Sequence, residues 1–235
     1  MAARFVGRTV IVAGGTGALG SAVSQAFNRE GATVIATFRT AAEFQTLSQA
    51  QALNGAKIEG EQADVTSESE VRRLVDGVLG RHTRIDALIN AAGGYAGGTK
   101  LWETEGSVLD HMVALNLRPL YVLAHAVAPV LIKQGHGSIV NVVARAAIEY
   151  PAGASAYAAS KAGALAMAGS LAAELAGSGV RMNSILPRII DTPANRQAMP
   201  KADFAKWAKP EAIAELILYL CSDAATVVHG AAIPV

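Results

Sequence analysis

Tyr157 and Lys161 stand four residues apart in the run Tyr157-Ala158-Ala159-Ser160-Lys161. On a helix, that spacing puts both side chains on one face, a turn apart. An ammonium beside a phenol favours the phenolate, lowering its pKa from about 10 toward the working range of an acid or base. Tyr157 could then exchange a proton with a substrate oxygen. Pairs of this spacing are also common on protein surfaces, so this one takes its meaning from its surroundings.

A second group of residues could hold an anion. The run Ala13-Gly14-Gly15-Thr16-Gly17-Ala18-Leu19-Gly20 contains G-x-G-x-x-G at Gly15, Gly17 and Gly20. It follows a β-branched run at 9–13 and opens a helical pattern at 18–30. Glycines in that setting let the backbone approach a pyrophosphate, and the helix N-terminus offers free N–H groups. The bland alternative is a glycine turn between strand and helix. The second strand ends Ala36-Thr37-Phe38-Arg39. An acid at this end would bond a ribose 2′-hydroxyl and select NAD, whereas Arg39 suits a 2′-phosphate and favours NADP over NAD. Arg39 could equally be a solvated residue at a helix start. Asp64, after the third strand, fits either an acceptor for an adenine amino group or a cap for the helix near Ser67.

The scaffold for these residues is legible as alternation. Apolar runs at 9–13, 33–37, 57–63, 85–90, 138–143, 181–186 and 231–235 read as strands. Helical patterns occupy 18–30, 41–53 with a stop at Asn54-Gly55, 67–79, 108–134, 155–176 and 210–221. The pattern at 108–134 predicts one long helix, curved or kinked near Pro129. Buried strands alternating with helices predict an α/β fold, a parallel sheet covered on both faces. The glycine-rich stretch 91–98 then lies at a strand's carboxyl end, where open α/β sheets bind ligands. The one long irregular segment, 187–209, reads as a lid.

Composition narrows the remaining classes. The 235 residues are 51% hydrophobic and 17% charged, which suits one folded domain. The formal net charge is +1, so no charge argument points to a nucleic-acid partner. Cys221 is the only cysteine, so no intrachain disulfide forms, and it reads as a small buried apolar residue. His111, His125 and His136 are scattered, and no metal site is expected. The longest apolar stretch, 120–132, is short for a membrane span and contains His125 and Pro129. Arg4 and Arg8 precede only a brief apolar run with no cleavage site. The expectation is a cytoplasmic protein with no membrane contact.

The pieces as a set resemble the short-chain dehydrogenase/reductase superfamily over essentially the whole length. They are 13–20, Asp64-Val65, Asn90-Ala91-Ala92-Gly93, Asn116, Ser138-Ile139-Val140-Asn141, Tyr157 to Lys161, and 187–192. The resemblance implies a single doubly wound Rossmann-type domain over 1–235, with about seven parallel strands, helices on both faces and a substrate loop at about 187–209. It implies NAD(P)-dependent hydride transfer to or from a small carbonyl or alcohol. Gly14, Thr16, Gly17, Leu19 and Gly20 match the pyrophosphate loop, and Asp64 and Val65 the adenine contact. Asn90, Ala91 and Gly93 match the cofactor wall. Asn116 matches an asparagine that holds a proton-relaying water. Tyr157 matches the acid/base, and Lys161 the residue that bonds the nicotinamide ribose and lowers the tyrosine pKa. Pro187, Ile190 and Thr192 match the carboxamide contacts. Asn116 and the Asn90 loop could also be purely structural. The apolar helices at 108–134 and 155–176 suggest a homodimer or homotetramer, as is common in the family.

Departures from the family pattern are informative. Ala13 stands for the usual threonine, Ala18 for glycine, and Arg188 for the glycine after Pro187. Ala144, thirteen residues before Tyr157, stands where the family has its substrate-binding serine. Loss of such a donor can cost on the order of 10²–10³ in rate. Ser155 is a candidate replacement, while Ser138 begins a strand and is too deep. Dihydropteridine reductases also lack that serine, and the runs 14–21, 92–98 and 186–204 resemble theirs; reduction of a quinonoid pterin is therefore one alternative. Those enzymes generally prefer NADH, which Arg39 argues against. A catalytically silent NADP-binding sensor is another. Trp102 and Trp207 are candidates for the substrate mouth, with Trp207 the better lid residue, and Arg145 and Glu149 for its walls.

Overall fold

A computed structural model describes residues 3–52 and 58–235 of the chain. The expected stop at Asn54-Gly55 and the start of the third strand at 57 lie outside the described residues. Seven parallel strands form one sheet: β1 Thr9–Ala13, β2 Thr33–Phe38, β3 Ile58–Gln62, β4 Ala87–Asn90, β5 Gly137–Val142, β6 Val180–Leu186 and β7 Ala232–Pro234. Their order is β3-β2-β1-β4-β5-β6-β7. The order reverses between β1 and β4, which opens a crevice at the strands' carboxyl ends.

Alternation along each strand feeds two cores. Ile11, Ile35, Leu88 and Ile139 pack with α3 (Glu68–His82), α5 (Arg118–Gln134) and α7 (Ser155–Glu174). Val10, Val12, Val34 and Val140 pack on the other face with α1 (Ala18–Arg29) and α9 (Pro210–Cys221). Burying each large aliphatic side chain contributes about 1.5–3 kcal/mol. Ala164, Ala168 and Ala172, at helical spacing, line the buried side of α7. With methyl groups there, α7 lies close to its neighbours, which brings Tyr157 and Lys161 to the crevice. Between β2 and the edge strand β3, α2 (Ala41–Ala52) continues the alternation along the chain.

The expected helix over 108–134 is two helices. α4 (Gly106–Asn116) ends at Leu117, and α5 begins at Arg118 with Pro119 in its first turn. Pro119 has no N–H to give and fits only an opening turn. The break therefore falls beside Pro119, while Pro129 sits inside α5 without ending it. Taken together, residues 106–134 are long and apolar enough to cross a membrane by length and composition alone, but half of their 18-residue apolar window is buried within this fold.

Segment 187–209 is structured rather than irregular. It holds α8 (Pro193–Ala198), a 3₁₀ turn at Phe204–Lys206 and a parallel bridge from Ile190 to Ala208. The Asp191 carboxylate accepts from Arg196 Nε and Nη2 at 2.5 and 2.8 Å and also pairs with Lys209. Those bonds, Arg196 first, hold the Asp191 carboxyl far below the usual carboxylate range. Arg196 also covers the ring of Phe204, which packs on Trp207. Trp207 is buried in this packing, so it is not a free lid residue, while Trp102 is 79% exposed. Another helix missing from the sequence reading, α6 (Ala146–Glu149), is a single turn after β5.

Cys221 is buried as expected, and burial pushes its thiol up to about 12. His229 accepts from Met182 N at 3.3 Å through Nδ1 and reaches Ala172 O at 2.8 Å through Nε2, tying β6 to α7.

A very tight backbone approach lies where β1 hands over to α1. A Cβ on Gly20 would fall 2.0 Å from the Gly14 carbonyl oxygen. Gly20→Ala should therefore destabilise the chain by about 1–3 kcal/mol, roughly 2–10 °C in melting temperature. Calorimetry of the variant checks this, and an unchanged melting temperature would contradict the close approach.

Candidate active site

The glycine loop is shaped by β2. Gly14 takes φ +71°, a left-handed conformation that favours glycine. Its N–H donates to Thr37 Oγ1 at 3.0 Å, and the Gly15 N–H to the Thr37 carbonyl at 3.1 Å. A Cβ on Gly15 would meet Ala36 Cβ at 2.7 Å. Gly17 caps α1 without a side-chain bond, so N–H groups of the first turn stay available to a ligand.

Two cavities open along the crevice. One of about 400 Å³ is lined by Gly14, Thr16, Gly17, Arg39, Asp64 and Val65 among others. The other, of about 660 Å³, includes Leu19, Tyr157, Lys161, Pro187, Ile190 and Thr192 in its lining. Ala91, Ala92 and Gly93 line both, so the cavities meet at the end of β4. A continuous trough with a backbone-walled centre fits a dinucleotide. A side chain at Gly14 would crowd it, since a Cβ there would lie 3.0 Å from Ala92 N.

Three predicted residues line neither cavity. Gly20 lies behind the loop. Asn90 is buried, donating from Nδ2 to Asn141 Oδ1 at 2.9 Å and accepting from Ala92 N at 3.3 Å. Asn116 is also buried: its Oδ1 accepts from Gly94 N at 3.0 Å, and its Nδ2 donates to Ser160 Oγ at 3.1 Å. Asn116 nevertheless adjoins the site, because a Cβ on Gly93 would meet Asn116 Oδ1 at 2.8 Å and Lys161 Nζ at 3.1 Å. Asp64 accepts from Thr66 N and Oγ1 at 2.9 and 2.7 Å, forming a turn ahead of α3 while facing the smaller cavity.

The proton chemistry differs from the expectation. Burial pushes the Tyr157 phenol up to about 12, with Tyr95 adding to the rise. The Tyr95 ring packs edge-on against Tyr157 at 4.9 Å between centroids. Lys161 does not lower the phenol here. It is 5% exposed, its Nζ donates to the Val142 carbonyl at 3.1 Å, and burial pushes its pKa down to about 8. Desolvation thus outweighs the pair attraction inferred from spacing.

Ala144 is buried in the lining of the larger cavity, where it contributes no hydroxyl. Ser155 does not replace it, since it lines a separate cavity of about 140 Å³ with Thr99 and Gly153. Ser138 is buried and accepts from Arg181 Nη2 at 2.8 Å. Arg145 and Glu149 both line the larger cavity. Glu43 went unnoticed in the sequence. It lies in the first turn of α2, lines the smaller cavity, and accepts from Arg39 N and Thr16 Oγ1, both at 3.3 Å. Burial raises its pKa, but those bonds outweigh it and keep the carboxyl below its ordinary value. Its place four residues past Arg39 was the available signal. Tyr95, isolated among glycines, offered none for its ring contact.

Comparison with known proteins gives this geometry a family. The sequence model described as short chain dehydrogenase matches residues 8–203. The 3-oxoacyl-(acyl-carrier-protein) reductase FabG of Thermotoga maritima is 33% identical over 236 residues, covering 97% of this chain and 95% of the relative. The D-threitol dehydrogenase of Mycolicibacterium smegmatis is 31% identical over 237 residues, covering 97% and 91%. The crystal structure of a levodione reductase superposes with TM-score 0.92 at 26% identity, covering 99% of this chain and 97% of that one. These similarities do not bear out the likeness to dihydropteridine reductases. The chain belongs to the short-chain dehydrogenase/reductase family and is an oxidoreductase of that nicotinamide-dependent type.

Proposed function

We propose that this enzyme uses NADP in preference to NAD to transfer a hydride between the cofactor and a small carbonyl or alcohol substrate, with Tyr157 as acid/base. The observation that carries the reading is the meeting of Tyr157 and Lys161 in a cavity that joins the glycine-loop cavity at Ala91, Ala92 and Gly93. Gly14, Thr16, Gly17, Leu19 and Gly20 would hold the pyrophosphate, with α1's N-terminus facing it. Arg39 would take the 2′-phosphate, and its guanidinium has no ion-pair partner among the described residues. Asp64 and Val65 would contact adenine, with Asn90, Ala91 and Gly93 forming the wall. Pro187, Ile190 and Thr192 would meet the carboxamide, and Lys161 the adjoining ribose. The bound nicotinamide supplies or accepts the hydride.

The phenol of Tyr157 is protonated at neutral pH, which suits a donor to a carbonyl oxygen during reduction. Lys161, titrating near pH 8, is placed to exchange protons near neutrality. Asn116 would steady this pair through Gly94 and Ser160. The reading includes a cytoplasmic setting and a homodimer or homotetramer. Exposed Leu109, Val113, Tyr121 and Ile132 on α4 and α5 support the oligomer.

Tyr157→Phe should lower turnover by about 10²–10⁴ while NADPH still binds. Steady-state rates and cofactor fluorescence test this, and full activity in the variant would sink the assignment. Arg39→Ala should weaken NADPH about ten- to a hundredfold and NADH far less. Equal losses for both cofactors would remove Arg39 as the selector.

Lys161 also makes stability depend on pH. Its folded pKa of about 8 lies below its usual 10.5, so between these values the unfolded chain binds more protons. Stability relative to a Lys161→Met variant should therefore rise from pH 8 to pH 10. Urea unfolding of both proteins across that window reads the sign, and a flat or falling difference contradicts the buried cation.

A further inference from the structure

The larger cavity has one charged stretch of lining that hydride transfer leaves unexplained. Arg145, Glu149 and Arg188 line it together with Tyr157. Backbone geometry assembles them: Arg145 N donates to the Pro187 carbonyl at 2.9 Å, joining the start of α6 to the residue before Arg188. Glu149 follows four residues after Arg145, across one turn. Its Oε1 lies 2.8 Å from Arg145 Nε, and Arg188 Nη2 donates to Oε1 and Oε2 at 3.0 and 3.1 Å. Arg188 first, then Arg145, keeps the Glu149 carboxyl below its usual range.

One carboxylate cannot satisfy two guanidinium forks. Arg145 Nε is buried without an aligned hydrogen-bond acceptor, despite its short approach to Glu149. Arg188 engages Glu149 through Nη2 alone, and its Nε and Nη1 have no partner among the described residues. Across the lining, Arg145, Arg188 and Lys161 face one carboxylate, Glu149. Apolar walls around a net positive lining focus potential toward an anion. Glu149 reduces the two-arginine cluster to a net charge of +1, which matches a carboxylate better than a dianionic phosphate.

We propose that Arg145 and Arg188, oriented by Glu149, form a subsite for a substrate carboxylate, so that the preferred substrates are small keto acids or their hydroxy acids. The carbonyl half of this proposal rests on the oxidoreductase reading, and the anion half does not. In reduction, Tyr157 gives its proton to the ketone oxygen as the carbonyl carbon takes the hydride. Keto acid and NADPH, with Tyr157 reprotonated from solvent, become hydroxy acid and NADP⁺.

The test pairs keto acids of increasing chain length with their keto amides, 4-oxopentanoate against 4-oxopentanamide being one pair. NADPH oxidation and quenching of bound NADPH fluorescence are both measured. For the best pair, the acid should exceed the amide in kcat/KM and in affinity by about ten- to a hundredfold. Arg188→Gln should collapse that ratio, and Arg188→Lys, which keeps the charge but not the fork, should retain part of it. Equal values for acid and amide in every pair, or a ratio untouched by Arg188→Gln, overturn the subsite. If no compound is reduced, the hydride-transfer reading loses support, and the fluorescence arm still decides the subsite: carboxylate binding lost in Arg188→Gln supports it, and none in the native protein overturns it.

Discussion

The carboxamide of Asn116 is the junction on which the site depends. Its Oδ1 accepts from Gly94 N on the loop after β4, and its Nδ2 donates to Ser160 Oγ on α7. Ser160 Oγ in turn donates to the Tyr157 carbonyl at 2.8 Å. One buried amide thus ties the loop after β4, where it lines the larger cavity, to the helix turn that carries Tyr157 and Lys161. A buried carboxamide must have its polar atoms paired, so these elements are held in register. Asn116 occupies the last turn of α4 because Pro119 ends the helical run beside it. A longer, unbroken helix would carry the chain onward where it must turn.

Around that junction, burial sets the proton chemistry. Tyr157 and Lys161 lie one turn apart on α7, as their spacing requires, yet desolvation moves both toward their neutral forms. Tyr95 packs edge-on against the phenol, and the Val142 carbonyl accepts a hydrogen bond from Lys161 Nζ. The phenol therefore starts protonated, and the lysine is the group that titrates within the physiological range. Ala144 adds no hydroxyl to the larger cavity, whose polar lining includes Arg145, Glu149 and Arg188.

The segment after β6 is braced by ion pairs as well as by apolar packing. Asp191, with its side chain only 5% exposed, gathers Arg196 from α8 and Lys209 from the end of the segment. The parallel bridge from Ile190 to Ala208 closes the same loop through its backbone. These contacts present Pro187, Arg188, Ile190 and Thr192 to the cavity on a fixed support. The aromatic residue expected as a lid, Trp207, is used inside that support against Phe204.

Much of this was legible in the sequence. Continuous apolar strands, helical stripes and the glycine loop specify the parallel sheet, because strands buried on both faces need helices over each of them. Gly14, Asp64, Tyr157 and Lys161, picked out by type and spacing in the sequence, all line the crevice, whereas Asn90 is buried beside it. Local patterns could not say where the helix over 108–134 breaks, since Pro119 and Pro129 compete and only packing chooses between them. Nor could they give Glu43 its contacts, Ser155 its separate cavity, or Arg188 its partner on α6, because these depend on which segments meet in space. The sequence by itself determined the residue types and the order of elements, through local periodicity. The tertiary structure alone decided the protonation of Tyr157 and Lys161 and the pairing of Arg145, Glu149 and Arg188, because desolvation and ion pairing depend on distances between residues that the chain brings together only on folding.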